Sequence, residues 1–262
     1  MSADSTKKTI VVALGVCLVC SILVSTAAVG LKGIQDENKR LDKIKNILIA
    51  GDLLADGTAV QETYDKQIEG KFIELSNGKV LEEDALQNGV TIETFDFKAM
   101  AKDGEYGVAI PAEKDIANIR RVPKYMTVYE VVENDQVEKY ILPISGFGLW
   151  STMYGFLAIN RDLQTVEGIT FYEHGETPGL GGEIDNPRWK AIWKGKHALD
   201  EQGNVVLTVI KSTVDPNSPQ ANQQIDGLSG STLTTRGLDS MVKFWLGQDG
   251  YGPFFNKLRQ EG

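Results

Sequence analysis

The stretch Asp226-Gly-Leu-Ser-Gly-Ser-Thr-Leu-Thr-Thr-Arg-Gly237 is rich in small and hydroxyl residues and runs into an apolar segment. Glycine and serine favour a loop, whereas the apolar residues after it recur at spacings of three and four, as on the buried face of a helix. Those residues are Leu238, Met241, Val242, Trp245 and Leu246. We therefore predict a loop followed by a helix, with Asp239 in the first turn and Gly247 at the C-terminal end.

The start of this helix is a natural seat for a phosphate, because its first N–H groups lack partners and the positive end of its dipole lies there. Thr232 would lie at this point. The alternative is that the serines and threonines only cap the helix. A G-x-x-x-x-G-K-[ST] phosphate loop is excluded, because the stretch contains no lysine. Ser229 is disfavoured as a hydrolase nucleophile, because Ser231 stands where G-x-S-x-G needs its second glycine and no histidine follows.

An uncharged segment of 22 residues lies near the N-terminus, from Thr9 to Gly30, between Lys7-Lys8 and Lys32. Its length predicts one transmembrane helix; the alternative is a cleaved signal peptide. The basic residues before it favour a cytoplasmic N-terminus over residues 1–8 and an extracytoplasmic position for the rest. Cys17 and Cys20 both lie in this segment, so the remaining chain has no thiol for a disulfide or an iron–sulfur cluster.

After a linker ending near Asp36, the residues from Asn38 to Leu54 show the apolar spacing of an amphipathic helix. The formal net charge of the chain is −9, which argues against nucleic acid as a partner. Between residues 56 and 121 the sequence predicts two strands, Phe72–Glu74 and Thr91–Phe97, in a smaller subdomain without recognisable chemistry.

Strand patterns become stronger after Pro123. A hairpin is predicted from Tyr125–Val132 and Val137–Pro143, joined through residues 133–136. Further strands are expected at Tyr154–Ile159, Val166–Tyr172 and Val205–Ile210, and a helical segment at Pro187–Trp193. Because strands follow one another with helices mainly at the ends, we predict an α+β fold with a mainly antiparallel sheet flanked by helices.

The residues Asp226-Gly-Leu-Ser-Gly-Ser-Thr232 resemble the covalent flavinylation motif D-x-x-[ST]-G-A-[ST]. In that motif a flavin transferase joins FMN, through its phosphate, to the hydroxyl of the last residue, which here is Thr232. The sequence departs from the motif at Ser231, where alanine is usual. The resemblance implies a covalent FMN phosphoester on Thr232, with Thr234 or Thr235 as the next candidates.

Two glycine-rich stretches, Gly146–Trp150 and Glu173–Gly182, could complete a flavin site, whereas a G-x-G-x-x-G dinucleotide fingerprint is missing. An isoalloxazine needs apolar surface and a few hydrogen-bonding groups, which Trp150 and Leu180 on one side and Glu176 and Thr177 on the other could supply. Trp150 could equally be a core tryptophan. The full set of candidate cofactor-binding residues is Trp150, Glu176, Thr177, Gly179, Leu180, Asp226, Ser229, Gly230, Ser231, Thr232, Leu233 and Thr234; Asp226 could also cap the loop or bind a metal during modification.

The segments Gly148–Ala158 and His174–Gly181 are similar to two recurrent motifs of the covalent-FMN subunit of the sodium-translocating NADH:quinone oxidoreductase. With the anchor, the Leu41–Leu48 helix and the flavinylation loop, the resemblance covers nearly the whole chain. It implies four regions: residues 1–8, a transmembrane helix at 9–31, a juxtamembrane part at 32–121 and an FMN-binding domain at 122–262. The equivalent flavin subunit of the Rnf ferredoxin-linked complex is the alternative family.

The resemblance also implies a function. The chain would relay single electrons through covalent FMN within a respiratory sodium pump, between an iron–sulfur donor and a second covalent-flavin subunit. It would need a flavin transferase for maturation and would be anchored in the bacterial inner membrane with its soluble domain in the periplasm. Two other function classes stay open, a membrane-anchored module that binds a small molecule non-covalently and an extracytoplasmic hydrolase with His174 as the base near Ser229.

Overall fold

The computed structural model describes residues 6–54, 57–82, 86 and 89–261. Most of the predicted cytoplasmic segment, residues 1–5, lies outside them. Six α-helices form within the described chain: α1 Thr6–Ala50, α2 Val60–Gln67, α3 Phe97–Lys102, α4 Pro187–Ala191, α5 Thr232–Leu246 and α6 Gly252–Glu261. Ten strands form: β1 Ile68–Glu74, β2 Lys79–Leu81, β3 Gly107–Ala109, β4 Arg121–Pro123, β5 Tyr125–Glu133, β6 Gln136–Phe147, β7 Thr152–Asn160, β8 Val166–Glu173, β9 Thr208–Val209 and β10 Gln224–Ile225.

The helix α1 runs without a break through the predicted transmembrane segment and the predicted amphipathic helix. The linker expected near Asp36 is therefore wrong. From Ile34 to Ala50 the sequence contains neither glycine nor proline and is rich in charged and aliphatic residues that favour a helix, so nothing interrupts it. Within the described residues, α1 is the one helix long and apolar enough to cross a membrane.

The chain divides into two compact units, residues 1–42 and residues 43–262. In the first unit the side chains from Thr6 to Lys39 are exposed, as expected of a segment that meets lipid rather than protein. The second unit is the folded domain, and it includes the last two turns of α1. There Ile44, Ile47 and Leu48 are buried.

The main sheet of the domain has six strands in the order β2-β1-β5-β6-β7-β8, and every neighbouring pair is antiparallel. The predicted α+β class and antiparallel sheet are confirmed. The predicted hairpin is also confirmed, although its turn is shorter than expected. Asn134 and Asp135 alone connect β5 to β6, with φ angles of 51° and 60°. Both angles are positive, as a two-residue turn of the primed type requires, and asparagine and aspartate tolerate them.

The strand predicted at Thr91–Phe97 is wrong. The hydroxyls of Thr91 and Thr94 accept hydrogen bonds from each other's backbone N–H groups, which closes a turn. Asp96 then accepts from the N–H groups of Lys98 and Ala99 and caps α3. The alternating pattern does not form a strand here because local side-chain bonds to the backbone compete with strand pairing.

The two faces of the sheet carry different cores. One face packs against the end of α1 and contains Tyr129, Ile141 and Phe156. The other face packs against α5 and continues into the larger core around Leu142, Trp193 and Trp245. The predicted strand at Val205–Ile210 contracts to β9, which pairs in parallel with β10 just before the hydroxyl-rich loop. This pairing brings that loop to the end of the sheet where β6 turns into β7.

Candidate functional site

The helix predicted after the hydroxyl-rich loop is confirmed, and it begins earlier than expected. The helix α5 starts at Thr232, so residues 232–237 are helical rather than loop. Asp239 therefore lies in the third turn and not in the first, where it accepts a hydrogen bond from the N–H of Val209 at 2.9 Å. Gly247 forms the C-cap, as predicted.

The hydroxyl groups of the loop divide into buried and exposed ones. Ser231, Thr234 and Thr235 are at most 5% exposed. Thr235 donates to the carbonyl of Ser231 at 3.0 Å and accepts from the N–H of Leu228 at 3.0 Å, which closes the loop onto the helix. Thr232 and Ser229 are exposed. Since Thr234 and Thr235 are buried and hydrogen-bonded, Thr232 is the more accessible hydroxyl at the helix start.

The N-terminus of α5 is open. Ser231 is the N-cap residue, and no described side chain caps the helix there. Its hydroxyl donates to Thr234 at 2.9 Å instead of accepting from the backbone. The first N–H groups of a helix have no partners within the helix, so this end remains available to an anion. Asp226 faces elsewhere, because its side chain accepts from the N–H of Val214 at 2.7 Å and its carbonyl from the Trp189 indole at 2.9 Å.

Glu176 joins three segments of the site through one buried carboxylate, which is 4% exposed. One oxygen, Oε1, accepts from the N–H groups of Leu149, Trp150 and Ser151 at 3.0, 2.9 and 3.4 Å. The other, Oε2, accepts from the hydroxyl of Thr234 at 2.5 Å. We call this arrangement the Glu176 clamp. It ties the β6–β7 loop and the segment after β8 to the first turn of α5.

Two glycines leave room for the Glu176 clamp. A Cβ on Gly148 would lie 2.5 Å from Oε1 of Glu176, and a Cβ on Gly181 would lie 2.7 Å from Oε2 and 2.6 Å from the Thr234 hydroxyl. Real Cβ atoms do not approach polar atoms this closely, so the carboxylate can reach its partners only because both positions lack a side chain.

Four large apolar side chains around the clamp are exposed, which is unusual in so small an area. They are Phe147 at 40%, Trp150 at 66%, Leu180 at 44% and Leu233 at 51%. The alternative of a core tryptophan at position 150 is wrong, because the clamp holds its backbone at the tip of a loop and the ring projects outward. Leu180 lies against the hydroxyl-rich loop, since a Cβ on Gly230 would meet it at 3.1 Å. Thr177 and Gly179 are exposed beside it.

His174 stabilises the segment before the clamp and does not face Ser229. Its Nε2 lies 2.7 Å from a carboxylate oxygen of Asp185, and its Nδ1 accepts from the N–H of Glu176 at 3.2 Å. Both ring nitrogens are therefore engaged. This geometry argues against a hydrolase in which His174 is the base.

Three further residues of the site are absent from the sequence-based candidates. Ser151 accepts from the N–H of Gly175 at 2.6 Å and so connects the two glycine-rich stretches. The Thr235 hydroxyl closes the loop as described. Arg236 is exposed four residues after Thr232, and within the described chain its guanidinium has no hydrogen-bond or ion-pair partner. The spacing of four from Thr232 is the one sequence signal that could have found it, because residues i and i+4 share a helix face.

Comparisons with known proteins agree with this arrangement. The FMN-binding domain family matches residues 148–247, which include the clamp, the loop and α5. The NqrC subunit of the Na(+)-translocating NADH-quinone reductase of Pseudomonas aeruginosa is 46% identical over 98% of this chain and 97% of its own length. The same subunit of Yersinia pestis is 44% identical over 98% of this chain and 94% of its own.

Two solved structures show the same fold. The Shewanella oneidensis NqrC structure superposes with a TM-score of 0.76 and 32% identity, covering 86% of this chain and 99% of that chain. The structure of the same subunit from Parabacteroides distasonis has a TM-score of 0.63 and 26% identity, covering 87% of this chain and 96% of that one. With full-length relatives at this level of identity and an FMN-binding domain over the site, the chain belongs to the NqrC family of Na(+)-translocating NADH-quinone reductase subunits.

Proposed function

We propose that this chain is an electron-carrying subunit of a sodium-translocating NADH-quinone reductase, and that it carries FMN as a phosphoester on Thr232. The observation that carries the proposal is the position of Thr232, an exposed hydroxyl at the open N-terminus of α5. The motif around it resembles a flavinylation site, and the family match over residues 148–247 supports FMN as the cofactor.

The start of α5 fits the phosphate of FMN. A phosphodiester keeps one negative charge, which the free N–H groups and the positive end of the helix dipole would stabilise. Side chains on a helix lean toward its N-terminus, so Arg236 reaches back toward Thr232 from one turn later. A guanidinium can donate two hydrogen bonds to a phosphate. We therefore assign Arg236 to the phosphate, together with the backbone of the first turn.

The exposed apolar side chains fit the flavin ring. Leu180 and Leu233 flank the attachment point, and Phe147 and Trp150 stand on the neighbouring strand end and loop. Apolar and aromatic surface is what the faces of an isoalloxazine need, and backbone N–H groups of the segment Thr177–Leu180 could bond its polar edge. The Glu176 clamp spends its own oxygens on the protein. Its part is to hold the two loops and α5 in register, which makes Glu176 a positioning residue.

FMN, when bound, supplies an acceptor and donor of single electrons, which no side chain of the chain can provide. The residues of the chain attach it, orient it and leave one side open. We place its electron donor at an iron–sulfur centre and its acceptor at a second flavin-bearing subunit of the complex. A flavin transferase would form the ester, α1 would anchor the chain in the inner membrane, and the domain would lie on the periplasmic side.

Peptide mass spectrometry tests the linkage directly. Trypsin releases residues 212–236 from the native protein, and we expect this peptide to carry the mass of FMN less one water, with fragment ions that locate it on Thr232. Thr232→Ala should abolish flavin fluorescence of the denatured protein and leave thermal unfolding nearly unchanged, since an exposed hydroxyl contributes little to stability. An unmodified peptide from the native host, or a flavin that persists in Thr232→Ala, would refute the assignment.

A further inference from the structure

A cavity of about 200 Å³ lies beside the candidate flavin site, between α3, residues 119–121 and the ends of β6 and β7. Four of the residues that line it are cations, namely Lys98, Lys102, Arg120 and Arg121, and none is a carboxylate. Its remaining walls combine the apolar side chains of Phe97 and Ile119 with hydroxyl groups. We call this cavity the basic pocket. A concentration of cations is notable in a chain whose formal net charge is −9.

Two of the four cations hold the pocket together. Lys98 forms an ion pair with Glu173, and its ammonium lies 4.4 Å from the centre of the Tyr154 ring. The guanidinium of Arg121 donates to the carbonyls of Ala101, Asp103 and Gly107 at 2.8, 3.1 and 2.6 Å. These contacts fix α3 against the sheet and against the small β3–β4 sheet.

The other two cations are available. Within the described chain, the side chains of Lys102 and Arg120 have no hydrogen-bond or ion-pair partner, and both are exposed. Carboxylates stand nearby, but their oxygens are engaged by the backbone. Asp103 accepts from the N–H groups of Glu105 and Tyr106 at 2.7 and 2.9 Å. Asp115 accepts from those of Ile119 and Arg120 at 2.9 and 2.8 Å.

The position of the basic pocket connects it to the flavin site. Thr152 lines the pocket and pairs with Phe147 in the β6–β7 ladder. Between these two residues in sequence lies the loop whose backbone the Glu176 clamp holds. An occupant of the pocket would therefore stand next to the exposed Phe147 and the loop that bears Trp150.

We propose that the basic pocket docks an acidic segment of the redox partner that exchanges electrons with this subunit. The proposal rests on the proposed function. A carboxylate side chain with an apolar neighbour matches two free cations above the apolar wall of Phe97 and Ile119. Electron-transfer encounters use such complementary charges to steer association and to fix register, and their energetic contribution falls as salt screens it.

Charge reversal in the purified, full-length complex tests the proposal. Lys102→Glu and Arg120→Glu are made singly, and stopped-flow reduction of the flavin of this subunit is followed in neutral detergent from low to high salt. We expect each reversal to slow the transfer by about three- to tenfold at low salt and to flatten its salt dependence. Lys79→Glu, on the edge strand β2, makes the same change of charge away from the pocket and should transfer electrons at the wild-type rate.

Three outcomes decide between the possibilities. Equal flavin fluorescence of all denatured variants, with slower transfer only in the pocket variants, supports the docking site. Equal fluorescence with unchanged rates and salt dependence overturns it and leaves the proposed function intact, whereas absence of covalent flavin in the wild type refutes that function instead. An effect that appears only in nanodiscs containing phosphatidylglycerol, and not in detergent, also overturns it, because the pocket would then bind lipid headgroups.

Discussion

At the scale of single residues, the site depends on where polar atoms find partners. The Glu176 carboxylate lies beneath exposed apolar groups and accepts four hydrogen bonds, three from consecutive backbone N–H groups and one from Thr234. Consecutive N–H groups that converge on one oxygen fix the path of a loop. The side chain of Trp150 is consequently held outward although it is among the largest apolar groups of the domain.

We expect Glu176→Ala to destabilise the domain by about 2–4 kcal/mol, because it leaves three buried N–H groups and one hydroxyl without their acceptor. Urea denaturation followed by tryptophan fluorescence measures the change. Glu176→Gln is the matched control, since its amide oxygen can still accept from the loop N–H groups. We expect it to lose less than half as much. Equal losses in the two variants would mean that the charge, and not the hydrogen bonding, stabilises the loops.

Gly181→Ala should destabilise the domain by about 1–3 kcal/mol, because the added methyl group would overlap the Thr234 hydroxyl and the Glu176 carboxylate. The effect should appear as a lower midpoint of thermal unfolding. Gly104→Ala is the control, because no atom lies within 4 Å of the added carbon and the residue does not have a positive φ. If both alanine variants unfold at the wild-type temperature, the clamp tolerates displacement.

The sequence indicates the type of site at this scale but not its connections. Thr232 follows from a local motif, whereas the partners of Glu176 are 25 to 58 residues away along the chain. No spacing rule encodes such contacts, because they arise only when the sheet brings the loops together. For the same reason, exposure of Trp150 could not be distinguished from burial on the basis of pattern.

At the scale of elements, the end of α1 packs on the sheet through apolar residues and one cation. The ammonium of Lys43 donates to the carbonyls of Ile92 and Phe95 at 3.2 and 3.1 Å, and lies 5.7 Å from the centre of the Tyr129 ring. Burial lowers the pKa of Lys43 to about 8, although the carboxylates of Asp96 and Glu93 oppose the shift.

This pKa predicts a rise of stability in alkaline solution. Between pH 8 and about 10.5 the unfolded chain retains a proton that folded Lys43 has released, so the free energy of unfolding rises with pH across that window and is insensitive to this group below it. Lys43→Met should remove up to about 3 kcal/mol of that rise. Lys45→Met, on the exposed side of the same turn, should keep it. Parallel pH curves for the wild type and Lys43→Met would contradict the prediction.

Sequence patterns predict those elements whose pattern spans many residues. The strands β5 to β8 and the buried face of α5 are of this kind, since their side chains meet one continuous core. Short elements depend on individual caps and turns. Thr91–Phe97 alternates like a strand but closes a turn, and α5 begins at Thr232 because Ser231 already has the N-cap position. Local hydrogen bonds of this sort decide boundaries and cannot be counted from periodicity.

At the scale of the whole molecule, the chain combines an exposed apolar helix with a domain that builds its own core. The α+β class follows from the order of strands and helices, and the membrane segment from its uncharged length. The uninterrupted course of α1 could be expected from the lack of glycine and proline after Gly33. Packing of its last turns on the sheet could not, because amphipathic spacing does not identify the surface that it meets.

Two truncations test where the domain begins. A chain that starts at residue 36 keeps every buried residue of α1, and we expect it to be monomeric and to unfold cooperatively. A chain that starts at residue 51 loses Ile44, Ile47 and Leu48, whose burial contributes about 1.5–3 kcal/mol each, and exposes Tyr129 and Phe156. We expect it to aggregate, as judged by sedimentation. Equal folding of both fragments would show that α1 is only an anchor.

The buried carboxylate of Glu176 has a thermodynamic consequence for the cofactor proposed above it. A negative charge shielded from water opposes the uptake of an electron nearby, because the repulsion is weakly screened in a low dielectric. The residue that fixes the loops therefore also lowers the midpoint reduction potential of the flavin. In a spectroelectrochemical titration, Glu176→Gln should titrate at a higher potential than the wild type, so that the residue that shapes the site also sets the direction in which electrons leave it.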